Sequence, residues 1–190
     1  MLLTEIFVVF IVLAIILMYV YNSASEEEVE YKTSILDGRR YLVRKLPDSQ
    51  EAADLLADIN IDLVALIHHM MAKYPNNDDI LTLYRKFDPA AVSEGSIESG
   101  YTSYSVNKGE KVILCIRQSD DSFVDKNVLM YVAIHEIAHI MTLEIGHTQM
   151  FWDNFKFLLH EAIRIGMYKK VDFDKKPEDY CGIQIASSVV

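Results

Sequence analysis

Apolar residues fall along the chain in three kinds of run. Ile6–Tyr21 is apolar without interruption, and Leu2 and Leu3 extend it past the single charge at Glu5, which predicts a helix with no polar face. Ala52, Leu56, Ile59, Leu63, Leu66 and Met70 recur in steps of four and three, the spacing of one helix face laid on a core. That helix starts at Asp48-x-x-Glu51, a capping-box pattern just after Pro47, and runs to about Lys73. From about Lys126 to Leu143 the chain is apolar almost all round, the pattern of a central buried helix. Gly146 ends it, and a further helix runs from about Thr148 to Met167.

Shorter patterns fill the gaps. Lys32–Leu36 and Arg39–Val43 flank Asp37-Gly38, the dipeptide of a tight type I′ turn, and predict a β-hairpin. Asp78 caps a short helix to about Phe87, and Asp88–Gly100 reads as a polar loop. Thr102–Val106 and Glu110–Arg117 bracket Asn107-Lys108-Gly109 as a second hairpin, with Val112–Ile116 apolar on both faces and hence covered on both sides. A short strand is expected at Ile183–Ala186.

Composition sharpens the division. Of the 190 residues 51% are hydrophobic, but 19 of the first 22 are, so the remainder has the balance of an ordinary single globular domain. The net charge of −10 argues against broad nonspecific binding to nucleic-acid phosphates, and half of it lies in Glu5, Glu26, Glu27, Glu28 and Glu30. The expected organisation is a transmembrane anchor at 1–22, an acidic linker at 23–30 and one domain at 31–190. Tyr19 and Tyr21 sit where an interfacial aromatic belt would lie. Lys32, Arg39, Arg40 and Arg44 all follow the span, which places the domain in the cytosol by the positive-inside rule. Cys115 and Cys181, read as unpaired, fit a reducing compartment, although two cysteines could also pair. The alternative is secretion after signal cleavage at Ser23-Ala24-Ser25.

The chemistry concentrates in the central helix. His135-Glu136-Ile137-Ala138-His139 places two imidazoles one turn apart on one face, able to reach a single ion, with Glu136 beside them. Three polar side chains among Val128, Leu129, Val132, Ile134, Ile137 and Ile140 carry a desolvation cost that a bound Zn²⁺ and its water would relieve. A catalytic zinc needs a third protein ligand and an open fourth position. His147 is the first choice, because Gly146 lets the chain turn back toward His139; Glu144 is the runner-up but points elsewhere on the helix. His160 and Glu161 could serve as ligand or support, with an exposed helix face as the simpler reading. His68 and His69 face different directions and are read as surface or partly buried residues.

With Gly146-His147 and Phe151-Trp152 following, the motif resembles the zincin core of the WLM and SprT-like metallopeptidases over roughly Tyr101–Met167. The combination with an N-terminal anchor is similar to small WLM-like proteins of large DNA viruses. The resemblance implies an α+β, zincin-like (minigluzincin) domain, with helices packed on a small, mostly antiparallel sheet and preceded by one transmembrane helix. It also implies that the strand Glu110–Arg117 is the edge strand above the cleft, where an extended peptide lies, and that a large aromatic packs behind the site.

The expected function is a membrane-anchored zinc metalloendopeptidase acting on protein or peptide substrates. Its metal ligands would be His135, His139 and His147, and Glu136 would be the general base acting on a zinc-activated water. Tyr101, Tyr104 and Tyr180 are candidates for stabilising the oxyanion. Two alternatives remain open: an inactive, zinc-stabilised structural or interaction protein at a membrane or in a virion, and a deformylase-like hydrolase that uses Cys115 as a ligand.

Overall fold

In the computed structural model, which describes residues 3–24, 29–95 and 102–190, two helices of different pattern meet at the core. Helix α2 (Ser49–Lys73) buries the face predicted from its spacing, Ala52 through Met70. Helix α4 (Lys126–Met141) is buried on nearly every side. Helix α3 (Asp78–Lys86) packs against both, and α5 (Gln149–Arg164) lies along α4. Ahead of them α1 spans Leu3–Ala24, and its side chains from Phe7 to Leu17 are all exposed. Among the described residues, Ser49–Lys73 is long and apolar enough to cross a membrane, but it is α2, a packed core helix.

The strands form three small sheets. β1 (Val29–Thr33) and β2 (Arg40–Arg44) are antiparallel, as are β6 (Glu178–Tyr180) and β7 (Ile183–Ile185). Between them β3 (Val92–Glu94), β5 (Lys111–Leu114) and β4 (Tyr104–Val106) lie in the order β3-β5-β4, parallel on one side of β5 and antiparallel on the other. The architecture is α+β with five helices and small sheets among the described residues.

Several local expectations are corrected. The first hairpin has no tight I′ turn: its strands stop at Thr33 and Arg40, and loop 34–39 closes through Ser34 N–H to the Arg39 carbonyl, with Gly38 alone at positive φ. Asp48 does not cap α2 through its side chain, because both its oxygens are taken at 2.8 Å by the buried Arg117, whose Nε also donates to Glu94 at 2.8 Å. The cap of α3 is Asn77, which accepts from Ile80 N–H, rather than Asp78. Segment 88–95, read as loop, contains the three-residue strand β3, too short to show a period of its own. With β3 on its far side, β5 is the central strand, so among the described residues the outer strand on the cleft side is β4 and not Glu110–Arg117.

Cys115 and Cys181 form a disulfide, with Cα atoms 6.3 Å apart and a separation of 66 positions in sequence. The reading of two unpaired thiols is thereby overturned. A pairing between a buried strand and a C-terminal hairpin has no signature in sequence spacing.

Candidate metal centre

The site is assembled by the end of α4, the start of α5 and the edge strand β4. Asp125 caps α4 by accepting from the N–H groups of Asn127 and Val128, and the helix then carries His135, Glu136 and His139 outward to β4. After the helix, Gly146 adopts φ +86, a left-handed conformation that glycine takes without strain, and the next residue, His147, turns back to the other two. Thr148 then caps α5 by accepting from Phe151 N–H. Phe151 closes the floor beneath the imidazoles, with its ring centroid 4.8 Å from that of His135, 4.2 Å from His139 and 4.7 Å from His147. Trp152 stacks on His147 at 5.5 Å.

The three imidazoles converge on one point. His135 Nε2 lies 3.2 Å from His139 Nε2 and 3.0 Å from His147 Nε2. Two ligands of a tetrahedral zinc, each bonded at ~2.0–2.1 Å, are about 3.3 Å apart, the spacing of the two pairs that share His135, and all three donor atoms lie within 4.8 Å of one another. Burial, reinforced by the neighbouring imidazoles, depresses His135 to about 3. His139 is lowered to about 4 by burial and by the charges of His147 and Lys108. Both are neutral at pH 7, the state in which an imidazole nitrogen donates to a metal.

Glu136 is 4% exposed, and among the described residues its Oε2 has no hydrogen-bond partner. Burial pushes its carboxyl up to about 7, although hydrogen bonds from Ser105 oppose the rise. It lines an open cavity of about 420 Å³ with the three histidines, Ser103–Ser105 and Lys108. An orphaned carboxylate oxygen facing a cleft beside three converging imidazoles fits a zinc and its water.

The other candidates lie elsewhere. Glu144 and His160 are exposed and outside the cluster, and Glu161 is buried between α2 and α5 on His69, Lys73, Tyr74 and Arg164. Cys115 is bound to Cys181, so the deformylase-like reading loses the thiolate it needs. Tyr101 is outside the described residues. Tyr104 lines the cleft. Tyr180 is buried, with its hydroxyl 2.5 Å from Ser103 Oγ, and burial and the charge of Glu136 hold its pKa far above the usual phenol value. Ser105, Ser103 and Lys108 were missed from sequence, since short polar residues in a hairpin carry no signal of what they will face.

A metallopeptidase-like centre on an α+β domain is therefore the class that the fold and site define. The family model of the WLM domain matches residues 37–188, and the chain belongs to that family. Its relatives include protein R325 of Acanthamoeba polyphaga mimivirus, 31% identical over 89% of this chain and 88% of that protein. Protein 136R of Invertebrate iridescent virus 6 is 28% identical over 85% of this chain and 89% of its own length. Two crystal structures of Wss1 from Saccharomyces cerevisiae, one of them a mutant, are similar at TM-scores of 0.47 and 0.49. Their identities are 20% and 19%; they cover 63% and 66% of this chain, and this chain covers 83% and 91% of theirs.

Proposed function

We propose that this chain is a membrane-anchored, zinc-dependent endopeptidase, with residues 1–22 as anchor, 23–30 as acidic spacer and 31–190 as the catalytic domain. The observation that carries the reading is the convergence of three Nε2 atoms beside the unpartnered Oε2 of Glu136 in one open cleft. His135, His139 and His147 would hold the ion. Zinc bound there supplies a Lewis acid for the scissile carbonyl and lowers the pKa of a water.

The chain's own residues do the rest. Ser105 hydrogen bonds orient the Glu136 carboxylate, and its free Oε2 takes a proton from the attacking water and returns it to the leaving amine. A carboxyl held near 7 is poised for transfer in both directions at neutral pH. The extended peptide lies along β4, the outer strand of that sheet among the described residues, which borders the cleft, instead of along β5.

The disulfide favours an oxidising compartment or a virion surface for the domain over the cytosol. The all-exposed apolar side chains of Phe7–Leu17 support the anchor.

The test is metal analysis and peptide cleavage by the full chain in detergent micelles, with Glu136→Gln as control. Near-equimolar zinc and a cleavage rate that collapses in the variant are expected. Absence of zinc, or equal cleavage by the variant, overturns the reading. Zinc uptake with no cleavage by either protein would establish a structural zinc protein in its place.

A further inference from the structure

Lys108, at the tip of the β4–β5 hairpin, reaches across to the end of α4. Its Nζ donates to the carbonyls of His139 at 3.2 Å, Thr142 at 2.6 Å and Glu144 at 2.5 Å. The last carbonyls of a helix have no partner within it, and a cation there also meets the negative end of the helix dipole. The position is built to place this amine. Lys108 sits at φ +59, a left-handed conformation uncommon for a residue other than glycine. Beside it a Cβ on Gly109 would come within 2.7 Å of the Lys86 carbonyl, so the tip is pressed against the end of α3.

What the amine holds is the segment leading to His147. Residues 143–147 are exposed, and among the described residues they make no backbone-to-backbone hydrogen bond. Before them, Thr142 is fixed by its hydroxyl to the Ala138 carbonyl at 2.8 Å and by Asn154 at 3.1 Å. After them, Thr148 caps α5. Between those two ends the imidazole of His147 rests on His135, Phe151 and Trp152, and the Lys108 bond to Glu144 holds the backbone.

We infer that Lys108 is a positioning residue for the metal centre: by clasping three carbonyls it fixes the loop from which His147 reaches the ion. The inference rests on the zinc reading above. Charge and position predict opposite outcomes here. An ammonium group beside the site repels a dication, so removing it for charge reasons alone would tighten zinc binding. Removing a positioning clasp loosens it.

Lys108→Met keeps an unbranched stem one atom shorter and removes the donors. In the full chain in micelles, zinc affinity is read by competition with a chromophoric chelator, and amide hydrogen exchange is read on the metal-free protein. The expected results are roughly tenfold weaker zinc binding, the scale of lost support around a metal ligand, and faster exchange confined to residues 143–147. In a His147→Ala background, Lys108→Met should cause no further loss of affinity. Lys108→Gln, a shorter side chain that retains a donor, should fall between wild type and Lys108→Met on both readouts. Unchanged or tighter zinc binding in Lys108→Met, an equal loss that persists without His147, or a lower Tm with neither readout moved would overturn the inference. A wild type that takes up no zinc would sink the metal reading itself, and the exchange arm would still judge whether Lys108 holds the loop.

Discussion

Glu136 on α4 and Glu161 on α5 are buried to nearly the same degree, 4% and 6% exposed, and their surroundings treat them in opposite ways. Glu161 accepts from Lys73 Nζ at 2.9 Å, Tyr74 Oη at 2.9 Å and Arg164 Nε at 3.1 Å, and it contacts His69 Nε2 at 3.0 Å. Burial alone would raise its pKa, but the bonds from Arg164, Lys73, His69 and Tyr74 outweigh it and hold the carboxyl down at about 2. Glu136 has only the help of Ser105, keeps one oxygen unpartnered, and stands near 7. A carboxylate saturated with donors ties two helices together and stays charged. One left short of donors can exchange a proton at neutral pH.

The contrast is broken most severely at Glu136. Glu136→Gln is expected to lower turnover by about 10²–10⁴-fold, the range of a general base, with zinc content and Tm undiminished. A Tm loss with turnover retained would invert the roles of the two residues. Next in size is the disulfide, which adjoins the cleft of Glu136: Cys115 N–H donates to Ser103 Oγ at 2.9 Å, and Ser103 lines the cleft and in turn bonds Tyr180. Cys115→Ser with Cys181→Ser should cost about 2–4 kcal/mol in denaturant unfolding. Hydrogen exchange should quicken around β5 and β6 while the Glu161 side stays protected.

Glu161→Gln is expected to cost about 1–2 kcal/mol, a figure kept small because Lys73 and Arg164 are open to solvent, and to leave zinc affinity unchanged. The smallest effect is in pH dependence. Glu161 sits at about 2 when folded against an ordinary value of 4.5, so its stabilisation is complete above 4.5 and is lost as pH falls toward 2. Acid titration of stability should therefore be shallower for Glu161→Gln than for wild type across that window.

Much of this was legible from periodicity and much was not. The core face of α2 and the all-round burial of α4 followed from apolar spacing, because helical contacts repeat along the chain. His135, His139 and Glu136 were marked by polarity in an apolar helix, and His147 by the glycine before it. The parallel strand β3 escaped because Val92–Glu94 is too short to carry a pattern, and its pairing with β5 is what makes β5 central where the family resemblance had implied an edge strand. Asp48 looked like a cap because its spacing to Glu51 is local, whereas the Arg117 that captures it comes from 69 residues away. Lys108 and Cys181 escaped for the same reason. Their partners are chosen by tertiary approach, which no local window contains.

The bond between Cys115 and Cys181 also has a bearing on survival in the presence of a peptidase. It encloses helices α4 and α5 and the exposed turn 143–147 within one covalent ring. A single cut anywhere in that ring leaves two pieces still joined. A nicked molecule would migrate at full size until a reductant was added, and only then fall into two fragments.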